Sequence, residues 1–213
     1  MSWTSLGSDP PEVRPKWGCR SARRLGTIVA VTGEDLQDCV IVSGMPGAGK
    51  STVTGLAARL LPRAARIKAD DVNEMVLSGR VWRLGEPVDE ARRQGELCDR
   101  NLAGLANNYI DFGFTVLLDQ LVTDLAELDF LVGLMAPRPV HLVTLAPTVD
   151  VCRQRNATRE LSERWEFDGY HRLEAGLRRD FGDVGWWLDT SGLTPGATAE
   201  LIVREAAHRA RLK

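Results

Sequence analysis

The chain is poor in the residues that would announce a metal or disulfide protein. It has three histidines, His141, His171 and His208, set far apart, so a zinc site built on histidine is not expected. Its four cysteines, Cys19, Cys39, Cys98 and Cys152, form no C-x-x-C pair. They read as small core residues in a reduced, cytoplasmic protein rather than as a disulfide framework. No apolar run approaches the roughly 18 residues of a membrane-spanning helix, so no membrane partner is expected. No excess of charge stands out either: 27 Lys and Arg face 29 Asp and Glu, a net charge of −2. That balance argues against nucleic acid as the main partner. Two nucleotide-protein signatures are also missing. No Asn-Lys pair occurs, which excludes the guanine-reading N-K-x-D motif, and Leu77-Ser78-Gly79-Arg80 departs from L-S-G-G-Q at its fourth residue.

What remains is 213 residues of ordinary globular composition, 44% apolar and 26% charged, enough for one core without staples. Residues 1–38 differ from the rest, holding Pro10, Pro11 and Pro15 among several arginines. They lack the apolar segment of a secretory signal and read as a poorly ordered N-terminal extension. Thr27–Val31 could form a short strand there, and Trp3 and Trp17 could dock on the body. Residues 39–213 read as one domain.

From Val40 onward strands and helices alternate. Val40–Ser43, Ala65–Ala69, Phe114–Leu118, Val140–Leu145 and Trp186–Asp189 are the strand candidates. The helices expected are Val53–Leu61, Asp71–Ser78, Asp89–Asp111, Leu125–Met135, Val149–Asn156, Phe167–Phe181 and Ala197–Arg211. In the third of these, Leu97, Leu102, Leu105 and Tyr109 are expected to be buried. The alternation implies an α/β fold, a parallel sheet covered on both faces.

Between the first strand and first helix stands Gly44-Met45-Pro46-Gly47-Ala48-Gly49-Lys50-Ser51, followed by Thr52. This is G-x-x-x-x-G-K-S in its proper strand–loop–helix setting, the P-loop. Glycines let successive N–H groups converge on a phosphate chain, and the helix N-terminus adds partial positive charge. Lys50 would reach the β- and γ-phosphates of ATP, Ser51 would offer its hydroxyl to Mg²⁺, and Thr52 is a further phosphate ligand candidate.

Two acidic residues fall where ligands gather in open parallel sheets, at strand C-terminal ends. Asp70 would face the γ-phosphate or cap the next helix, with Asp71 competing for either role. Asp119, after four apolar or β-branched residues, has the shape of a Mg²⁺-holding aspartate; it could also orient substrate or close an Asx turn. Gln120 follows without an assigned role. Arg153, Arg155, Arg159 and Arg164 cluster after the fourth strand, as a phosphate-pairing lid over about 152–166 or a solvated helix face. Arg155 and Arg159, four apart, would share a face.

The strings VIVSGMPGAGKST, IKADD, FTVLLDQ, the arginine-rich segment and WWLDTS together resemble the small P-loop kinases, most of all the chloramphenicol-phosphotransferase-like group, related to gluconate and shikimate kinases. The resemblance covers about residues 40–205. It implies a three-layer α/β/α P-loop sandwich with a five-stranded parallel sheet in order 2-3-1-4-5. It also implies ATP-Mg²⁺ phosphorylation of a hydroxyl on a small molecule, such as an antibiotic, natural product or metabolite. Asp70 then matches the aspartate that takes the hydroxyl proton, Lys50, Arg155 and Arg159 stabilise charge, and Asp189-Thr190-Ser191 matches the loop beside adenine. The stretch Asp71–Arg100, with Met75, Val76, Arg80, Trp82, Arg83, Leu84, Arg92, Arg93 and Gln94, is expected to supply the acceptor site. Nucleoside, nucleotide or polynucleotide 5′-kinases share this fold as alternatives, and a nucleotide-binding regulatory protein with little turnover is the alternative of another kind.

Overall fold

The structure, a computed structural model, describes Leu36, residues 38–160, Arg164 and residues 167–212. The expected N-terminal extension therefore lies outside the described residues except for Leu36 and Asp38. Leu36 is buried in the core, and its carbonyl accepts a hydrogen bond from the Thr115 hydroxyl.

Five strands form one parallel sheet: β1 (Cys39–Gly44), β2 (Ala64–Lys68), β3 (Thr115–Asp119), β4 (Val140–Leu145) and β5 (Trp186–Leu188). Their order is β2-β3-β1-β4-β5, as expected. Strands β1, β3 and β4 are buried on both faces along their whole length, which explains their uninterrupted apolar sequences. Every strand-to-strand step is a crossover through helices. These are α1 (Lys50–Leu60), α2 (Ala69–Asn73), α3 (Val88–Asp111), α4 (Leu125–Met135), α5 (Val149–Ala157), α6 (Tyr170–Phe181) and α7 (Pro195–Arg209). Helix α1 packs against α7 and strands β1–β3, while α3 packs against α4 and strands β2 and β3. These pairs are the outer layers of the three-layer sandwich. Among the described residues no helix is long and apolar enough to cross a membrane.

Helix ends follow local chemistry. Asp124 caps α4 by accepting from Glu127 N at 2.9 Å. Thr194 caps α7, accepting from Ala197 N at 3.2 Å, with Pro195 in the first turn, where its missing N–H costs nothing.

Two expectations are corrected. The helix expected over Asp71–Ser78 is α2, only Ala69–Asn73; beyond it Met75 N and Val76 N turn back to Val72 O and Asn73 O, tight i−3 contacts that stop the helix. In α3, Leu102 is buried, but Leu97, Leu105 and Tyr109 are exposed. The buried stripe is Ala91, Gly95, Cys98, Asp99, Leu102, Ala103 and Ala106. Its small side chains bring the helix axis close to the sheet, so the large residues point outward rather than inward.

Candidate active site

The P-loop runs from the end of β1 into α1, and two of its glycines are fixed by contacts rather than by turn preference alone. Gly44 has φ +143°, and a Cβ there would lie 2.5 Å from Leu145 O. Gly47 has φ +80°, and a Cβ there would lie 2.3 Å from Cys152 O. Any side chain would collide with rigid backbone of β4 or α5. Met45 and Ala48 are buried under the loop. Lys50 Nζ donates to Gly44 O at 2.7 Å and Met45 O at 3.3 Å, leaving a further N–H of the ammonium for a phosphate oxygen.

One pocket gathers Pro46, Gly47, Gly49, Lys50 and Ser51 of this loop with Asp70, Trp82, Asp119, Gln120 and Arg159. Thr52 is exposed in the first turn of α1 and is not in the pocket wall. Asp70 lies in the first turn of α2, just past the end of β2. Asp71 is turned to Lys68, with its Oδ1 2.8 Å from Nζ, and is absent from the pocket wall.

Asp119 closes β3 and is only 5% exposed. Burial pushes its carboxyl pKa up, opposed by the Lys50 ammonium and by a hydrogen bond from Ser51. Its Oδ2 is buried without a hydrogen-bond partner. Lys50 mirrors this: burial pulls its pKa down, and the carboxylates of Asp119 and Asp70 oppose the shift. A buried carboxylate oxygen with no donor, beside a P-loop serine, fits a hard cation such as Mg²⁺ in donor type and position.

The two arginines expected to work as a pair do not share a helix face. Arg155 lies in the last turn of α5, and its guanidinium donates to Ala48 O at 3.3 Å and Thr190 O at 3.1 Å. It braces the P-loop against the loop after β5. Arg159 lies beyond the end of α5, where its own N–H turns back to Asn156 O in an i−3 contact, and it reaches the pocket wall. Arg153 is exposed. Arg164 donates to Arg159 O at 2.8 Å. Residues 161–163, 165 and 166 of the expected lid lie outside the described residues. Asp189 Oδ1 accepts from Ser191 N and Oγ, and Ser191 Oγ accepts from Thr148 N, tying the last loop to the start of α5.

Sequence reasoning missed a buried ionic network on the other side of the pocket. Arg83 pairs with Asp99 at 2.9 Å and with Glu127. Gln120 Nε2 donates to Asp99 Oδ1 at 2.7 Å and Glu127 Oε1 at 3.0 Å. The backbone N and the hydroxyl of Thr123 hold Glu127 Oε2. Burial pushes the Asp99 carboxyl up to about 6 even though Arg83 opposes the rise. A larger cleft of about 770 Å³, lined by Arg83, Asp99, Glu127, Val88, Leu125 and Phe130 among others, shares no residue with the P-loop pocket. One signal was available in the sequence: Asp99 falls in phase with the small, buried stripe of α3, and an acidic residue in such a position calls for a partner.

The family model AAA_33, described as an AAA domain, matches residues 39–177. The chain belongs to that AAA domain family. The matched span runs from β1 into α6 and so contains the whole P-loop pocket. Among solved structures, a sugar kinase from Janibacter sp. HTCC2649 superposes with TM-score 0.62 at 22% identity, covering 80% of this chain and 96% of its own. The tunicamycin resistance protein of Deinococcus radiodurans gives TM-score 0.59 at 16% identity, covering 83% of this chain and 99% of its own. The APS kinase CysC of Mycobacterium tuberculosis, solved with AMPPNP and APS, gives 0.55 at 18% identity, covering 78% and 95%. At these identities the likeness is one of fold: this AAA domain has the P-loop kinase-like architecture. No curated protein matches the sequence significantly.

Proposed function

We propose that the protein is an ATP-dependent phosphotransferase that moves the γ-phosphoryl group to a hydroxyl of a small molecule. The observation that carries this reading is the meeting of Lys50, Ser51, Asp70, Asp119 and Arg159 in one pocket at the P-loop. A nucleotide-binding module needs the loop. It has no need of an aspartate and an arginine converging on the place where the γ-phosphate would lie.

In this reading the P-loop amides and Lys50 bind the phosphate chain. Ser51 and Asp119 are the residues that would hold Mg²⁺, which when bound neutralises charge on the β- and γ-oxygens. The acceptor oxygen attacks phosphorus, the bond from phosphorus to the bridging β–γ oxygen breaks, and ADP leaves with that electron pair. Asp70 takes the acceptor's proton. Lys50 and Arg159 balance charge on the moving phosphoryl group. Asp70 rather than Asp71 is the proton acceptor because Asp71 is spent on Lys68. Arg159 rather than Arg155 is the arginine at the transferring group, because Arg155 is committed to two carbonyl oxygens. The kinase neighbours in fold support the class of reaction, and the sugar kinase among them suits an acceptor bearing hydroxyl groups.

The test is ATP consumption by the purified protein with Mg²⁺ across hydroxylated metabolites, antibiotics and nucleosides, with Lys50→Ala as the blank. Stimulation by a compound, with phosphate recovered on it and lost in the variant, is the expected result. ATP binding with no transfer to any compound would favour a regulatory protein instead.

A further inference from the structure

Gln120 is 1% exposed, and its side-chain amide is held in one orientation. Its Nε2 faces Asp99 Oδ1 and Glu127 Oε1, two carboxylate oxygens that accept and, when ionised, cannot donate. A flipped amide would put a carbonyl oxygen against both, so the nitrogen end is fixed by chemistry. Arg83 and Thr123 in turn hold the two carboxylates. The remaining polar atom, Oε1, is buried and has no partner among the described residues. Buried amide oxygens are almost always paired, and an orphan in a rigid network asks for an explanation. Gln120 also forms part of the P-loop pocket wall, beside Asp70, Trp82 and Leu121.

We propose that Gln120 Oε1 is a specificity-determining acceptor that takes a hydrogen bond from the substrate to be phosphorylated, and that this substrate is an uncharged, donor-bearing ring compound lying against Trp82. The inference rests on the phosphotransferase reading and names the substrate class for it. Four observations support it. An amide oxygen fixed as an acceptor selects for O–H or N–H and against an anion. Arg83, the residue next to Trp82, could have read a carboxylate or phosphate, but both faces of its fork are taken by Asp99 and Glu127. The cations that do line the pocket, Lys50 and Arg159, are assigned to the phosphates in the proposed reaction. Trp82 contributes a broad aromatic surface, and its ring meets the Phe167 ring edge-on at 5.9 Å.

The experiment offers uncharged acceptors (methyl glucoside, myo-inositol, adenosine and chloramphenicol) beside charged counterparts (glucuronate, inositol monophosphate, AMP and chloramphenicol succinate). The wild type is expected to phosphorylate an uncharged member and to discriminate against its charged partner. Gln120→Met, close in size but without the acceptor, is expected to raise KM for that compound by about tenfold or more, with a smaller change in kcat. Analogues of the same compound, lacking one hydroxyl at a time, provide the reading without a mutation. One of them should behave in the wild type as the parent does in Gln120→Met, and should lose nothing further in that variant. Equal KM values in both proteins, no analogue with that behaviour, transfer only to charged compounds, or ATP binding without transfer to any uncharged member would each overturn the inference. ATP affinity of the wild type separates the two levels: if ATP does not bind, the phosphotransferase reading itself is lost.

Discussion

The phosphate wall of the pocket is almost contiguous in sequence, Gly44 through Ser51 on one loop, and most of its contacts are to backbone. The proposed acceptor wall is assembled from Asp70, Trp82 and Gln120, which reach the pocket from the first turn of α2, the α2–α3 connection and the segment after β3. Gln120 is kept in place by Asp99 and Glu127, both paired with Arg83, and none of these three enters the pocket. The contrast has a physical basis. Every nucleotide presents the same phosphates, and a curled backbone meets them with N–H groups that any sequence of small residues supplies. An acceptor differs from one enzyme to the next, so its wall must be made of side chains, and side chains need long-range support to hold position.

The comparison predicts that damage to the phosphate wall removes turnover without unfolding the protein. Lys50→Ala is expected to give the largest effect, a fall in kcat of about 10³-fold or more, since the ammonium acts on developing phosphoryl charge inside a water-poor site. Steady-state ADP release measures it, and circular dichroism melting should stay near the wild-type curve. Turnover within tenfold of wild type would mean that the loop binds phosphate without serving the reaction.

Damage to the support of the acceptor wall should act first on stability. Arg83→Met strands Asp99 and Glu127 as buried carboxylates sharing one neighbourhood, and removing one partner of such an arrangement costs about 3–5 kcal/mol. Urea unfolding followed by far-ultraviolet circular dichroism reads it. A loss below about 1 kcal/mol would show that water reaches the network and that Gln120 is not rigidly held. Asp70→Asn sits between the two walls and should separate them. The side chain is exposed, so stability should not change, while kcat falls by about 10²-fold, the low end for a lost general base because a largely dissociative transfer asks little of it. A fall larger than that of Lys50→Ala would reverse the ranking of charge stabilisation over proton removal.

The same division decides what the sequence made legible. The P-loop, the alternation of strands and helices and the pocket positions of Asp70 and Asp119 follow from short-range signals, namely a glycine pattern, apolar runs and a strand-end rule, whereas the strand order follows only from the resemblance to small P-loop kinases. The i, i+4 spacing of Arg155 and Arg159 pairs them on one helix face. That spacing assumes a helix running through both, yet α5 ends between them at Thr158. The phase of α3 is hidden from the sequence for a related reason. Size marked Leu97, Leu105 and Tyr109 as core residues, whereas the stripe that faces the sheet is chosen for closeness and is therefore small. Gln120 drew no role, because a glutamine's function depends on which neighbours take its two ends. Those neighbours, Asp99 and Glu127, belong to different helices that local spacing cannot bring together.

The smallest expected effect is a slope. Asp99 is held at about 6, above its ordinary 3.8, with burial as the leading cause and Arg83, Glu127 and Gln120 facing it. A carboxyl raised on folding binds more protons in the folded than in the unfolded chain between those two values. Its contribution to stability is therefore full below about pH 4 and is lost as pH rises through about 6, at no more than about 1.4 kcal/mol per pH unit. Other titrating groups add slopes of their own, so the quantity to measure is the difference between wild type and Asp99→Asn in urea unfolding at several pH values from 4 to 7. The wild type should lose stability relative to the variant as pH rises through that window, and the two curves should run parallel above it. A wild type that instead gains on the variant over the same window would mean that Arg83 outweighs burial at Asp99. The acceptor wall would then rest on an ion pair that acid breaks, and the KM for the acceptor, rather than the melting curve, would carry the pH dependence.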